Sequence, residues 1–273
     1  MSESAGYELL DAGDGRRLER FGEVVVDRPA PGATSPRRDV GALSLADLRF
    51  DRDAGWTSKR GLDPWIIALD DLTFELRPTE TGQLGVFPEQ APNWRLTRDA
   101  AAAGRQILNL FAYTGGATLA AASAGASVVH VDASRPAVAW ARRNAALSGL
   151  ADRPIRWIVD DCEAYVRREA RRGRRYDGIV LDPPSYGHGR GGAVWRLEDH
   201  LSTLLQACQR IAKPETFVIL TAHTTSGRAD WLADALRSAF DGGRSIEAGE
   251  LELQATSGAR LWLGSCARIM PGL

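Results

Sequence analysis

Four apolar segments of this 273-residue chain each end in residues able to hold or activate a ligand. Ile107 to Phe111 runs into Ala112-Tyr113-Thr114-Gly115-Gly116, Ser127 to Val131 into Asp132, Ile155 to Val159 into Asp160-Asp161, and Gly178 to Leu181 into Asp182-Pro183-Pro184-Ser185-Tyr186. The paired glycines accept positive φ, carry no Cβ to block a ligand, and lead into a helix whose first N–H groups lack intrahelical partners. A carboxylate at the next strand end, here Asp132, can accept both hydroxyls of a ribose. Asp161 is a candidate acceptor for the exocyclic amine of adenine, and Asp160 reads equally as a ligand or as the cap of the following helix. In the fourth segment Pro183 and Pro184 stiffen the loop, the Asp182 carboxylate and Pro183 carbonyl can accept hydrogen bonds from a planar amine, and Tyr186 offers a face to an extruded base. The glycines lack G-x-G-x-x-G spacing, which disfavours a nicotinamide cofactor.

For these residues to meet, their strands must be parallel and end on one edge of one sheet. From about residue 100 the pattern alternates strand and helix, as in a sheet covered on both faces, where ligands bind beyond the carboxyl ends of the strands. The pattern predicts strands at 106–111, 127–132, 155–159, 177–181, 216–222, 245–253 and 259–268, with helices between the first six. Ser134 is placed to cap the helix after the second strand, with Pro136 in its first turn. The link through Ser257-Gly258 is too short for a crossover, so the last two strands should pair antiparallel. Residues 1–95 read instead as a small β-rich subdomain suited to substrate recognition, with a hairpin turn at Gly13-Asp14-Gly15, a β-branched run at Val24-Val25-Val26, a loop over 28–41 and strands at 65–69 and 72–77. Residues 96–273 form the ligand-binding domain.

A net charge of −1 gives no global basic field, so any nucleic-acid contact must come from local patches. The basic run Arg167 to Arg175 reads first as a solvated helix end, where cations complement the dipole, and second as a phosphate contact. The segment Gly187 to Gly192, with Arg190, reads as a substrate lid, and Trp195 beside it is a candidate for stacking. His223 is placed either to orient substrate and remove a proton or to satisfy a loop carbonyl. Cys162, Cys208 and Cys266 are odd in number and scattered, so neither a disulfide framework nor a metal site is expected. With neither a leader pattern nor a membrane-length apolar run, the expected setting is the reducing cytoplasm.

Taken together, the glycine turn, Asp132, Asp161 and Asp182-Pro183-Pro184-Ser185-Tyr186 resemble the class I S-adenosylmethionine-dependent methyltransferases, and among them the ribosomal RNA large-subunit methyltransferase I type. The resemblance covers roughly residues 80–270; Asn144 and the segment Gly85 to Trp94 are also similar to motifs of that family. It implies an α/β fold with a seven-stranded Rossmann-like sheet in the order 3-2-1-4-5-7-6, the last strand antiparallel, and the cofactor S-adenosylmethionine across strands 1, 2 and 3. The cofactor residues so implied are Gln90, Asn93, Asn109, Phe111, Tyr113, Gly115, Gly116, Asp132, Ser134, Asp161 and Asp182, with Gln90 and Asn93 near the methionine portion. The acceptor would be framed by Asp182, Pro183, Pro184 and Tyr186. The implied partner is RNA, with ribosomal RNA the expected substrate; a small-molecule acceptor and a non-catalytic cofactor-binding module are the alternatives. One departure bears on the chemistry. Members that methylate cytosine at C5 use a cysteine in a Thr-Cys-Ser-like motif after the fifth strand, where this chain has Leu220-Thr221-Ala222-His223-Thr224-Thr225-Ser226, so transfer to nitrogen or oxygen is favoured over C5, with nitrogen the expected target.

Overall fold

Short alternating segments and tight polar turns shape the amino-terminal part of the chain. The structure is a computed structural model that describes residues 6–188, 194–223, 228–240 and 243–271. It divides into one unit of Met1–Ala91 with Leu251–Leu263 and a second of Pro92–Glu250 with Gly264–Leu273. The sequence-based boundary lay at residue 95 and gave the first unit nothing from the carboxyl-terminal end. In the first unit β1 (Tyr7–Gly13), β2 (Arg16–Phe21), β3 (Val24–Pro29), β4 (Leu48–Asp51) and β5 (Gly55–Ser58) form a sheet in that order, antiparallel except for the β3–β4 pair. Asp14 and Gly15 turn the first hairpin with φ of 52° and 72°, the left-handed pair that matches strand twist. Strands β6 (Trp65–Leu69) and β7 (Leu72–Leu76) pair around Asp70 and Asp71, which have φ of 53° and 62°.

A charged network is buried inside this first sheet. Glu19 accepts from Arg28 Nε at 2.6 Å and from the Tyr7 hydroxyl at 3.0 Å, with Arg17 Nε at 3.2 Å. Burial opposes its ionisation, but the positive charges of Arg17 and Arg28 outweigh that and hold the carboxyl below its ordinary value.

The second unit opens with α1 (Ala91–Ala100) and then alternates: β8 (Gln106–Leu110), α2 (Gly116–Ser123), β9 (Ser127–Asp132), α3 (Arg135–Leu147), β10 (Ile155–Val159), α4 (Cys162–Arg171) and β11 (Tyr176–Leu181). A short hairpin follows, β12 (Tyr186–His188) with β13 (Val194–Arg196), then α5 (Leu197–Gln209), β14 (Ala212–Ala222), α6 (Ala229–Ala239), β15 (Glu247–Gln254) and β16 (Arg260–Ile269). The large sheet runs β10-β9-β8-β11-β14-β16-β15, which is the expected 3-2-1-4-5-7-6, and β16 lies antiparallel to β14. Period-two alternation distributes the core to both faces. Leu108, Leu110, Val129, Val131, Ile179 and Leu181 pack with Tyr165, Leu201, Leu205, Leu232 and Leu236 from α4, α5 and α6. Their neighbours Ile107, Val128 and Val180, with Phe217 and Ile219, pack with Ala121 and Ala122 of α2. Among the described residues no helix is long and apolar enough to cross a membrane.

Removing one member of the buried network leaves the other's charge uncompensated. Glu19→Ala is expected to cost about 3–5 kcal/mol of stability, read as a lower unfolding midpoint at neutral pH. Because the carboxyl titrates below its ordinary value when folded, this contribution is present at neutral pH and is lost as acid protonates Glu19; the gap between wild type and variant should close in acid.

Candidate active site

The loop between β8 and α2 is held in a conformation that non-glycine residues avoid. Phe111, Tyr113 and Gly115 have φ of 54°, 47° and 96°, so three alternate residues are left-handed and two of them carry a Cβ. Such a backbone persists only where its surroundings over-determine it, at about 1–3 kcal/mol per strained residue. The surroundings are visible. Phe111 N–H donates to Cys162 Sγ at 3.2 Å, Ala112 N–H to the Val131 carbonyl at 3.1 Å, and Tyr113 N–H to Asp132 Oδ2 at 2.8 Å. Asn144 Nδ2 donates to the Thr114 carbonyl at 3.0 Å from α3.

The glycines serve packing as well as the turn. A Cβ on Gly116 would fall 2.4 Å from the Trp94 indole carbons, so α1 closes over the start of α2 where clearance for a ligand was expected. Gly115 supplies the left-handed cap, with Ala141 Cβ 3.2 Å from the position of its absent side chain.

Asp132 accepts from Tyr113 N–H and, through Oδ1, from Ser134 N–H at 2.8 Å. Burial raises its pKa, and the two backbone donors pull the other way. Ser134 caps α3 by accepting from Ala137 N–H at 3.3 Å. The acidic pair after β10 divides its work differently from the expectation. Asp161 caps α4, accepting from Ala164 N–H at 2.8 Å, while Asp160 accepts from Asp161 N–H at 2.9 Å and pairs with Arg168. The helix begins one residue later than the capping role for Asp160 required.

Three residues expected on the cofactor are engaged in or near the core. Asn109 is buried and donates to Thr118 Oγ1 at 2.8 Å, which in turn lies 3.0 Å from His130 Nδ1. Burial, with the charge of Arg142 adding, drives the His130 pKa down to about 3, so this network is neutral. Asn93 accepts from Arg268 Nε at 2.8 Å. Gln90 is buried in the first unit at the end of a short 3-10 turn, Pro88–Gln90.

The acceptor side is built at the end of β11. Asp182 Oδ2 lies 3.3 Å from His223 Nε2 at the end of β14, and Ser185 Oγ donates to the His223 carbonyl at 3.2 Å. Tyr186 is exposed. Trp195, on β13, donates from Nε1 to the Pro184 carbonyl at 2.8 Å, sets its ring 5.7 Å from that of Phe111 and stacks on His200 at 4.7 Å. It therefore ties the strained loop to the proline loop, a bridging role that its place next to a glycine-rich segment did not signal. The scattered spacing of the cysteines gives no sign that the Cys162 sulfur accepts a backbone N–H from the strained loop. The expected lid falls largely outside the described residues, at 189–192, as do Thr224, Thr225 and Ser226 of the segment after β14.

These parts share one rim. Strands β9, β8 and β11 are adjacent and parallel, so Asp132, the strained loop and Asp182 all emerge from the same sheet edge. Two strand spacings separate β9 from β11, roughly 10 Å.

A family model described as S-adenosylmethionine-dependent methyltransferase matches residues 11–236. The crystal structure of a SAM-dependent methyltransferase from Agrobacterium tumefaciens is 36% identical, with a TM-score of 0.93 over 99% of this chain and 92% of that one. A ribosomal RNA large subunit methyltransferase K/L from Magnetococcus marinus is 36% identical over 55% of this chain and 21% of its own length. The K/L protein of Stutzerimonas stutzeri is 41% identical over 47% of this chain and 17% of its own. The chain thus spans about a fifth of the length of these curated relatives.

Gly116→Ala is expected to destabilise the protein by about 1–3 kcal/mol through overpacking. Adding Trp94→Leu should recover part of that loss in chemical denaturation; equal losses in the single and double variants would contradict the contact.

Proposed function

Because the chain belongs to the S-adenosylmethionine-dependent methyltransferases, we propose that it methylates a nitrogen of a base in RNA, with Asp182, Pro183, Pro184 and Tyr186 framing the acceptor. The observation that carries this reading is the shared rim: parallel β9, β8 and β11 deliver a ribose-type carboxylate, a strained backbone loop and an Asp-Pro-Pro loop to one sheet edge. RNA as the acceptor is supported by the ribosomal RNA methyltransferase names of the K/L relatives.

The residues present fit the cofactor. Asp132 spends one lone pair of each oxygen on a backbone N–H, which leaves acceptor capacity for two ribose hydroxyls. Asp161 caps through Oδ1, leaving Oδ2 for the adenine amine. Phe111, Tyr113, Gly115 and Gly116 would offer backbone, with Ser134 and Asn109 fixing the strand ends behind them, and Asn93 would stand toward the methionine end. When bound, S-adenosylmethionine supplies an electrophilic methyl group, so the protein's task is alignment more than activation. Asp182 would hold a target amine through its carboxylate, and His223, 3.3 Å away, can take the proton that the amine releases.

Nitrogen is favoured over cytosine C5 because C5 transfer needs a thiolate. Burial raises the thiol pKa of all three cysteines, to about 12 for Cys208, and Cys162 is already bonded to Phe111 N–H.

Asp132→Ala should weaken S-adenosylhomocysteine binding about tenfold or more in calorimetry, a loss of about 1.4 kcal/mol. Asp182→Ala should bind it nearly as wild type yet lose transfer by about 10²–10³-fold. Equal loss of cofactor affinity in both would contradict the roles. Nucleoside mass spectrometry on RNA from a deletion strain should lack one N-methylated nucleoside; an unchanged profile would point to a small-molecule acceptor instead.

A further inference from the structure

The far ends of α4 and α5 enclose a groove that the chemistry at the rim does not use. Its volume is about 630 Å³, and its lining includes the side chains of Arg167, Arg171 and Arg175 on one wall and Thr203, Gln206 and Arg210 on the other. No carboxylate lines it. Of the acids nearest in sequence on α4, Glu163 pairs with the lining Arg167, while Asp160 pairs with Arg168 and buried Glu169 accepts from the Tyr176 hydroxyl at 2.8 Å and from Arg172 at 3.0 Å, both outside the lining. Arg175 donates to the Arg210 carbonyl, which joins the two walls and satisfies an orphan carbonyl at the end of α5. The guanidinium groups of Arg171 and Arg210 have no ion pair among the described residues.

We propose that this groove binds the phosphodiester backbone of the RNA acceptor, at a distance from the methylated base; the proposal rests on the RNA reading above. Complementing the helix dipole explains cations beside the last carbonyls of one helix. Here two such ends meet: Arg171 lies in the last turn of α4 and Arg210 caps α5, and both line one cavity with no acid among its lining residues, on a chain whose net charge is −1. The space is too large for a single phosphate, and charges distributed over two walls suit an anion that repeats along a strand. Guanidinium forks match phosphate oxygens two at a time, while Thr203 and Gln206 add neutral hydrogen-bonding groups for sugar or phosphate. The placement also fits. Helix α4 starts at the rim, where Asp161 caps it, and Arg171 ends it ten residues later, roughly 15 Å along the axis. A strand with one base at the rim can therefore lay phosphates a few nucleotides away into the groove.

The test is Arg171→Ala with Arg210→Ala in the full chain, measured by fluorescence anisotropy with a labelled single-stranded RNA of mixed sequence over a salt series. Losing two phosphate contacts should reduce the slope of log K against log salt by about 1.4, since each contact on a single strand contributes about 0.7. S-adenosylhomocysteine affinity and the melting midpoint should stay as in wild type. Wild-type binding with a slope that the double variant leaves unchanged would overturn the groove and leave the RNA reading standing. No RNA binding by the wild type at any salt would overturn both. Competition by polyglutamate as strong as by RNA would overturn the assignment in favour of an acidic protein partner.

Discussion

The arrangement of the rim depends on one piece of backbone held against its preference. Phe111 and Tyr113 sit in the left-handed region although each has a side chain; Cys162 at the start of α4 and Asp132 at the end of β9 hold their N–H groups, and Asn144 on α3 holds the neighbouring Thr114 carbonyl. The strain and its compensation are inseparable, because the same Asp132 carboxylate that would receive ribose hydroxyls also fixes Tyr113 and Ser134. Geometry at this loop is thus set before any ligand arrives, which is how a site that works by alignment avoids ordering costs during binding.

The opposite half of the rim is fastened to the same loop through Trp195. One indole meets the Phe111 ring and donates to the Pro184 carbonyl, so a displacement of the proline loop is felt by the strained loop, and the reverse. His200 stacks on the same indole.

Much of the frame was legible because its signals are periodic. Near-continuous apolar strands separated by helical spacing announce a doubly covered parallel sheet, and the ranges 127–132 and 155–159 coincide with β9 and β10. The left-handed turn at Asp14-Gly15 and the capping role of Ser134 follow from local chemistry, which a sequence displays directly. What could not be read were features decided by distant partners. Strand β4 alternates over only four residues, β5 is equally short with Trp56 its one large apolar side chain, and β12 and β13 are three residues each, too short for a period to show. That Asn109 also bonds Thr118, beside His130, and that Trp94 packs over Gly116 are contacts that no local pattern displays. The resemblance to a methyltransferase family identified which strand ends matter; it could not tell which of their side chains hold the scaffold together.

The first unit takes Leu251–Leu263 from near the carboxyl-terminal end of the chain, and there Ala255, Ala259 and Leu261 pack with Leu9, Ala12, Ala30 and Ala33. During synthesis on the ribosome, the strands around Leu9 and Ala12 must therefore wait, with this apolar patch uncovered, until residues 255–261 have emerged. The five-stranded sheet would reach its native packing only after the large sheet's parallel strands had been made, and the nascent protein would be exposed to aggregation or chaperone capture in that interval.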